Sequence, residues 1–335
     1  MAEKKKYKSR FSGLQHDEAT NAIVNKVLQT SLESLINSKP NPNLLDNWYF
    51  GNPVNQRGKT EYSETGYCLD RWYNRGANTI ALTEDGLKIT ASAESSRGLN
   101  QRIEFPEQLV GKTVTVSLWV VENTLPLGAF ATLWGANQVS SNSDDLSDLV
   151  DYNTRTGLIS YTFKVPKHSY SGINFGIYFR EGSQGGHITI KAVKLELGSQ
   201  QTLAYQDDSG NWVLNEIPDF SEQLAKCQRD QYNPLTTASY QVFGLGAAIS
   251  TTQAVCVVPV PVTMRLPVPA LEINDVTLLR LQSSSSITLT ALSLSSMSNG
   301  CAKMIATVAG GLTVGQAYAL TTGATNPTII INANQ

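Results

Sequence analysis

Between residues 60 and 200 the sequence repeatedly alternates apolar and polar side chains with a period of two residues. Such alternation is typical of β-strands that bury one face and expose the other. The pattern occurs in segments 79–91, 98–105, 113–121, 129–134, 158–165, 173–180 and 187–197. Together these segments predict about eight antiparallel strands, a number that suits a jelly-roll β-sandwich of two sheets.

Two of these segments contain a local signal of their own. In segment 79–91, the pair Asp85-Gly86 tolerates positive φ and predicts a hairpin turn. In segment 187–197, the inward set starts with Ile188 and Ile190 and then continues one residue out of phase, at Val193, Leu195 and Leu197. A phase change of one residue within a strand predicts a β-bulge.

Residues 233–335 form a second β-rich part, in which Ser, Thr, Ala and Val replace most charged residues. After Arg280, Lys303 is its one charged residue. Exposed strands normally carry charges that prevent association. We therefore predict a C-terminal β-sandwich knob whose surface is shared between subunits or serves as a weakly charged display surface. Its predicted strands are 253–262, 271–282, 285–294, 302–309, 316–322 and 328–333.

One helix is predicted before these β-rich parts, between residues 14 and 37. Val24, Leu28, Leu32 and Leu35 recur at spacings of four, four and three, so they share one narrow face. Prolines 40 and 42 follow and end the helical pattern. The narrow stripe favours a small parallel bundle of identical helices, and a helix docked on its own chain is the alternative.

Residues 201–232 connect the two β-rich parts. Segment 205–214 predicts a small hairpin on an Asp-Ser-Gly-Asn turn. Segment 217–232 predicts a short helix, which Ser221 can cap. In that helix Leu224, Cys227 and Gln228 are expected to face inward.

Charge and composition bound the classes of function. A formal net charge of -2 does not indicate binding to nucleic acid. The basic run at residues 3–10 is either a solvated tail or a contact for an acidic partner. No segment approaches the ~18 apolar residues of a membrane span, and no apolar region follows the basic start as in a secretory signal. The four scattered cysteines predict free thiols in a cytosolic product and no metal site.

No pattern in the sequence predicts catalysis or a cofactor. The HExxH, GxSxG and Walker A patterns are absent, and the three histidines are dispersed. The acidic cluster Asp144, Asp145, Asp148 and Asp151 reads as a solvated loop, with a calcium site as the alternative. Five aromatics on predicted strands belong to the core or could stack on sugar rings: Trp119, Trp134, Tyr161, Phe163 and Tyr178.

Four phrases of the sequence resemble those of bacteriophage fibre proteins. NLLDNWYFGNPVNQRG (43–58) followed by YCLDRWY (67–73) resembles the opening of their jelly-roll module. IKAVKLELGSQQT (190–202) resembles its closing strand, which is similar to that of carbohydrate-binding jelly rolls. FSEQLAKCQRDQY (220–232) resembles the phrase that follows, except that Asp230-Gln231-Tyr232 replaces a Tyr pair, and FSGLQHDEATNAIVNKVL (11–28) resembles the start of head-fibre and tail-fibre anchors.

The resemblance implies roles for residues near the start of the chain. Phe11, Gly13 and Asp17 match the anchor phrase. The aromatic triplet at 48–50 would plug the underside of the jelly roll, and the prolines at 40 and 42 would stiffen its connection to the helix. Arg57 and the pair Arg71-Trp72 would tie the entry strand to the sandwich.

We therefore interpret the chain as mainly β, with a virion anchor (1–13), a trimerising helix and linker (14–42), a jelly-roll sandwich (43–200), a linker (201–232) and a knob (233–335). The resemblance implies a homotrimeric bacteriophage head or tail fibre. It would be assembled in the host cytoplasm into the virion, contact capsid or tail proteins, and adhere to a host-surface glycan or receptor through the loops of the knob. A glycan-cleaving depolymerase and a carbohydrate-binding module of a secreted bacterial enzyme are the alternatives.

Overall fold

A computed structural model describes residues 23–28, 41–92, 98–103, 106–135, 150–151, 155–165, 173–180, 182–234, 240–266, 269–324 and 327–334. The chain divides into two units, Met1–Asn41 and Pro42–Gln335. In the first unit residues 23–28 form helix α1. All strands that the structure describes belong to the second unit.

The first part of the second unit is a sandwich of two six-stranded antiparallel sheets. Sheet one has the order β1-β4-β5-β12-β7-β10, and sheet two has the order β2-β3-β6-β11-β8-β9. From β5 to β8 successive strands alternate between the sheets, as expected of the predicted jelly roll. The strands are β1 (Glu61–Tyr62), β2 (Gly66–Tyr67), β3 (Tyr73–Asn74), β4 (Thr79–Thr83), β5 (Gly86–Thr90), β6 (Leu99–Ile103), β7 (Thr113–Asn123), β8 (Ala129–Gly135), β9 (Val150–Asp151), β10 (Gly157–Lys164), β11 (Ile173–Phe179) and β12 (His187–Leu197).

The aromatic triplet at 48–50, which the sequence predicted to plug the underside of the jelly roll, runs beside β12. Trp48 and Phe50 are buried in the cluster that both sheets share, and the Phe50 amide donates to the Lys191 carbonyl at 2.9 Å. Trp72 lies at the centre of the same cluster, with ring contacts to Phe50 at 5.4 Å and to Phe175 at 6.2 Å between centroids. Trp48 and Phe50 are therefore part of the core itself rather than a separate cover, and Tyr49 packs half-buried against it.

The predicted bulge is confirmed, and the predicted hairpin turn is shifted by one residue. The register of β12 against β7 changes between Thr189 and Ala192. In the hairpin, Thr83 pairs with Gly86, so the two turn residues are Glu84 and Asp85. Gly86 begins β5 at a φ of 133°, where a Cβ would overlap the Ile190 carbonyl group. The glycine therefore permits close packing against β12 instead of forming the turn.

The connecting segment contains the predicted hairpin and helix. Strands β13 (Ala204–Gln206) and β14 (Trp212–Leu214) form the hairpin, and helix α2 spans Phe220–Gln228. The N-cap of α2 is Asp219, whose carboxylate accepts the Glu222 amide at 2.9 Å, so the prediction of Ser221 as cap was wrong. Cys227 faces inward as predicted and Gln223 is buried beside it, whereas Leu224 and Gln228 are only half-buried.

The C-terminal part is a closed barrel, so the prediction of a second sandwich was wrong. Six antiparallel strands close in the order β16-β17-β21-β20-β19-β22, because β16 pairs with both β17 and β22. A three-stranded sheet, β15-β23-β18, accompanies the barrel. The strands are β15 (Gln231–Tyr232), β16 (Val242–Ala248), β17 (Gln253–Pro259), β18 (Ala270–Asn274), β19 (Val276–Arg280), β20 (Ser285–Ser298), β21 (Cys301–Val308), β22 (Ala317–Thr322) and β23 (Thr328–Asn332).

Buried polar contacts join the sandwich to the C-terminal part. Asp230, just before β15, accepts from Arg71 of the sandwich at 2.9 Å and from Arg265 at 2.7 Å. The prediction that Arg57 ties the entry strand to the sandwich was wrong, since its guanidinium instead binds both carboxylate oxygens of Glu272 in β18. These bonds hold the sandwich against the three-stranded sheet that accompanies the barrel.

The N-terminal predictions fall mostly outside the described residues. Val24 and Leu28 lie on α1, where 44% and 61% of their surfaces are exposed in the single chain. Leu32, Leu35, Phe11, Gly13 and Asp17 lie outside the described part of the chain. The trimerising helix and the virion anchor therefore stay predictions.

Candidate ligand-binding face

The outer face of sheet two brings together polar side chains from four strands, β2, β3, β6 and β11, and from the segments on either side of β3. Register places Tyr73 of β3 opposite Asn100 of β6, and Arg102 of β6 opposite Asn174 of β11. These residues alternate with buried ones, so their side chains share the outer face of the sheet. We call the resulting depression the arginine hollow, and it is lined by Tyr67, Arg71, Tyr73, Arg75, Asn100, Arg102 and Asn174.

The arginine hollow has the size and chemistry of a small ligand site. Its volume is about 350 Å³, within the range usual for ligand pockets. Tyr67 and Tyr73 meet edge to face at one side, with centroids 5.1 Å apart and planes at 84°. Burial raises the pKa of the Tyr67 phenol, so it stays protonated and can donate a hydrogen bond at neutral pH.

Two further groups shape this face. The Arg75 guanidinium donates to the Tyr178 hydroxyl at 3.4 Å, which places a second phenol close to it. Asn100 Oδ1 is buried, and no donor among the described residues lies within hydrogen-bond distance of it. Because a buried acceptor without a donor is costly, this oxygen lowers the stability of the face unless a buried water molecule donates to it.

Arg71 acts as a fixed part of the wall between hollow and core. Its side chain is 6% exposed and is bonded to Asp46 at 3.1 Å, to Asp230 at 2.9 Å and to the Arg102 carbonyl at 3.0 Å. These partners fix the geometry of the hollow from below. The positive charge of Arg71 is neutralised by the two aspartates.

A second depression, which we call the junction groove, begins on the other side of the same two tyrosines. It has a volume of about 530 Å³ and lies between the β1–β2 region and the sheet of β18 and β23. Its charged lining residues are Arg57, Lys59, Glu61, Glu64 and Glu272. The hydrogen bond from Arg57 lowers the pKa of the Glu272 carboxyl, against the opposing effect of its burial. Glu272 is therefore a carboxylate at neutral pH and does not suit a general acid.

The sequence predicted few of the residues on this face. Of the five aromatic candidates, Tyr178 lies beside the hollow, where its hydroxyl accepts from Arg75. Tyr161 and Phe163 instead lie on β10 of sheet one. Phe163 is buried and Trp119 packs partly buried against the core, as their interpretation as core residues predicts. The side chain of Trp134 lies outside the described residues, although its backbone pairs with Asn174.

The side chains that could hold a metal ion are dispersed over the described part of the chain. Within the ranges that the structure covers, no three His, Cys, Asp or Glu side chains are placed to hold a metal ion. Asp144, Asp145 and Asp148 of the acidic cluster lie outside those ranges. All four cysteines are free, as predicted, and burial raises the pKa of Cys256 to about 11. Among the described helices, none has both the length and the apolar character to cross a membrane.

Comparison with known proteins finds loose structural likeness and no sequence family. No protein-family model matches this chain, and no curated protein matches it. The xylan-binding domain CBM22-1 of Xyn10C from Paenibacillus barcinonensis is similar over 48% of this chain and 96% of its own, at 12% identity and a TM-score of 0.32. The CBM22-1–CBM22-2 tandem of that protein is similar over 88% of this chain and 97% of its own, at 13% identity and a TM-score of 0.32.

A third similar structure is the xylan-binding module CBM15, which covers 43% of this chain and 95% of its own at 15% identity and a TM-score of 0.27. At such scores the likeness assigns neither a fold nor a ligand to this chain. The resemblance to bacteriophage fibres stays a prediction.

Proposed function

We propose that this chain is a glycan-binding fibre protein of a bacteriophage virion, which adheres to the host surface without cleaving glycans. The arginine hollow is the main observation in favour of binding. It offers phenol faces, amides and guanidinium groups on an open sheet face, a combination that can stack on sugar rings and hydrogen-bond their hydroxyls. The order of the fibre-like phrases between residues 11 and 232 supports the virion assignment.

The proposal includes a homotrimer that an N-terminal anchor attaches to capsid or tail. Val24 and Leu28 expose apolar surface on α1, and the six barrel strands contain two charged residues, Arg280 and Lys303. Both features favour association with further copies of the chain. Three copies would also raise the avidity of weak single contacts. Light scattering on the full chain should give a trimer mass, and a monomer at micromolar concentration would contradict it.

The proposed function is tested by measuring whether the protein binds glycans and whether it cleaves them. The full chain should bind host cells and a subset of arrayed glycans, and Tyr73→Ala should weaken that binding about tenfold or more, because it removes one of the two rings at the edge of the hollow. Tyr161→Ala is the matched control, since Tyr161 is 37% exposed on sheet one, away from the hollow. If Tyr73→Ala and the parent bound equally well, the binding site would lie outside the hollow, for example in the barrel loops that the sequence predicted.

The depolymerase alternative is tested with the same samples. Glu61 and Glu64 line the junction groove, and a glycosidase would need two such carboxylates in position. We expect no release of reducing ends from any glycan that binds. Release that is abolished by Glu61→Gln or Glu64→Gln would establish an enzyme in place of an adhesion protein.

A further inference from the structure

The outer surface of the barrel carries a continuous group of aliphatic side chains on three neighbouring strands. Alternate residues of β17 are buried in the barrel core, so Val255 and Val257 lie on its outer surface. Register places Leu245 of β16 opposite Val257, and it places Val255 between Ala247 of β16 and Ile305 of β21. We call these five residues the aliphatic barrel face. Leu245 is 57% exposed and Val257 is 48% exposed, so the single chain leaves this face in contact with solvent.

The composition of this face restricts what it can bind. Its five side chains contain no hydrogen-bonding group, and Lys303, opposite Val257, is the one charged residue that register places beside it in the described strands. A glycan needs rings and hydrogen-bonding groups, whereas nucleic acid and anionic membranes need several cations. Aliphatic surface is instead stabilised by contact with other aliphatic surface, and an exposed apolar patch marks a contact between proteins.

A second copy of the chain is the partner that this chemistry fits best. Every copy carries the same face, and two uncharged faces meet without repulsion between like charges. A patch of five side chains associates weakly between free molecules. Linkage of the copies within one oligomer raises the effective concentration of each face to about the millimolar range, at which a weak contact is sufficient.

We propose that the aliphatic barrel face is the surface through which the barrels of one homotrimer pack against each other. This inference rests on the proposed homotrimer and specifies its C-terminal contact. In a cyclic trimer each copy contacts the other two, so all three faces are covered at once. Leu245 and Val257 therefore lose most of their contact with solvent when the trimer assembles.

Hydroxyl-radical footprinting of the full chain, with mass spectrometry as the readout, measures this loss of exposure. Leu281, between β19 and β20, and Leu127 in the sandwich are the references, because they are 47% and 49% exposed in the single chain. In the trimer, Leu245 should be oxidised several times more slowly than either reference leucine. After dilution to the monomer, all three leucines should be oxidised at similar rates.

Charge substitutions test whether the partner is a second copy. Leu245→Glu and Leu245→Lys should each weaken association about tenfold or more in sedimentation velocity, because the contact would bury an unpaired charge. An equal mixture of the two variants should recover part of the association, since opposite charges then lie close together on a small face. Thr288→Glu places a charge at an exposed position of β20 outside the face and should assemble like the parent.

A second pair of variants, Val257→Glu and Val257→Lys, guards against a local folding defect at Leu245. Both positions are exposed in the single chain, so circular dichroism should show each variant to be folded. Agreement between the two positions would assign the weakened association to the face itself.

The possible failures differ in what they leave standing. Normal assembly of both glutamate variants, no recovery in the mixtures, or oxidation of Leu245 as fast as of Leu281 in the trimer would reject the barrel contact and retain the homotrimer. A parent chain that is monomeric in sedimentation would reject the proposed homotrimer itself. Protection of Leu245 that persists in the monomer would assign the cover of the face to the same chain, and the inference would be wrong.

Discussion

The sandwich and the barrel bury different kinds of side chain. The sandwich core contains large aromatics, including Trp72 and Phe175, and the charged Lys194 and Glu196 of β12 are buried against Thr202 of the connecting segment. Inside the barrel, Ala254 pairs with Ala306 and Cys256 with Met304 across β17 and β21. A six-stranded barrel has a narrow interior, which small and flexible side chains fill around the buried ring of Tyr318, whereas the wider gap between two sheets accommodates several rings.

The outer surfaces differ as well. Sheet two of the sandwich presents Arg75, Arg102 and two tyrosines around a hollow, while β20 of the barrel presents mainly Ser and Thr. Guanidinium groups and rings recognise a ligand by charge and shape, and hydroxyls on a strand do so only weakly. This difference supports the proposal that the sandwich recognises the ligand and that the barrel contacts further copies of the chain.

Removing a ring from the sandwich core should have the largest effect on stability. Trp72 is fully buried, donates its indole N–H to the Asn47 carbonyl at 2.9 Å and contacts Phe50 and Phe175. Trp72→Ala should therefore lower the free energy of unfolding by about 3–5 kcal/mol. Urea denaturation followed by circular dichroism measures this loss.

Met304→Ala supplies the matched test in the barrel. Met304 is also fully buried, but its side chain is smaller, so its truncation should cost about 2–3 kcal/mol. An equal or larger loss for Met304→Ala would show that barrel closure, rather than aromatic packing, is the main source of stability in the chain.

Breaking the contact between the two regions should have the next largest effect. Asp230 is 2% exposed and accepts from Arg71 and Arg265, so Asp230→Asn leaves two guanidinium groups without their shared carboxylate. A loss of about 3 kcal/mol is expected, since one partner of a buried ion pair is removed. In calorimetry we expect one transition for the parent and two for Asp230→Asn.

Asp219→Asn is the control for this substitution, because Asp219 is an exposed N-cap of α2 and Asn caps helices equally well. Its unfolding should match that of the parent. If Asp230→Asn also kept a single transition, the bonds of Gln56 to Asn233 would be sufficient to couple the regions.

Period-two alternation predicted most long strands, because a strand with one buried face must alternate in any fold. It missed β16, where Gly244 and Gly246 interrupt the apolar pattern. A Cβ at Gly246 would overlap the Val255 carbonyl group, so the packing that closes the barrel removes the side chain that would signal the strand. The predicted strand 271–282 is two strands, since Asp275 has a φ of 48° and separates β18 from β19.

The arginine hollow could not be predicted in the same way. Alternation places Asn100 and Arg102 on one face of β6, but it does not reveal that β3 and β11 are the neighbours of that strand. Pairing between strands distant in sequence is set by packing of the whole core. The phrase YCLDRWY did draw attention to Arg71, although its partners Asp46 and Asp230 lie far from it in the chain.

The smallest effect is expected at the exposed end of the contact between the two regions, where Arg57 binds Glu272. Side-chain exposures are 14% for Arg57 and 42% for Glu272, so solvent screens the pair, and Glu272→Gln should cost at most about 1 kcal/mol at neutral pH.

The hydrogen bond from Arg57 lowers the folded-state pKa of Glu272 below the ordinary value of 4.5. Because the folded pKa is depressed, the pair stabilises the protein above about pH 4.5 and loses this contribution as pH falls through the lowered pKa. The difference in unfolding free energy between parent and Glu272→Gln should therefore be constant from neutral pH to about pH 5 and shrink at lower pH. Buried Asp70, whose pKa is raised by desolvation, titrates in both proteins and cancels in this difference. A difference that stays constant down to about pH 3 would mean that the charge of Glu272 contributes nothing, and that its bonds to Arg57 and Asn332 act only through geometry.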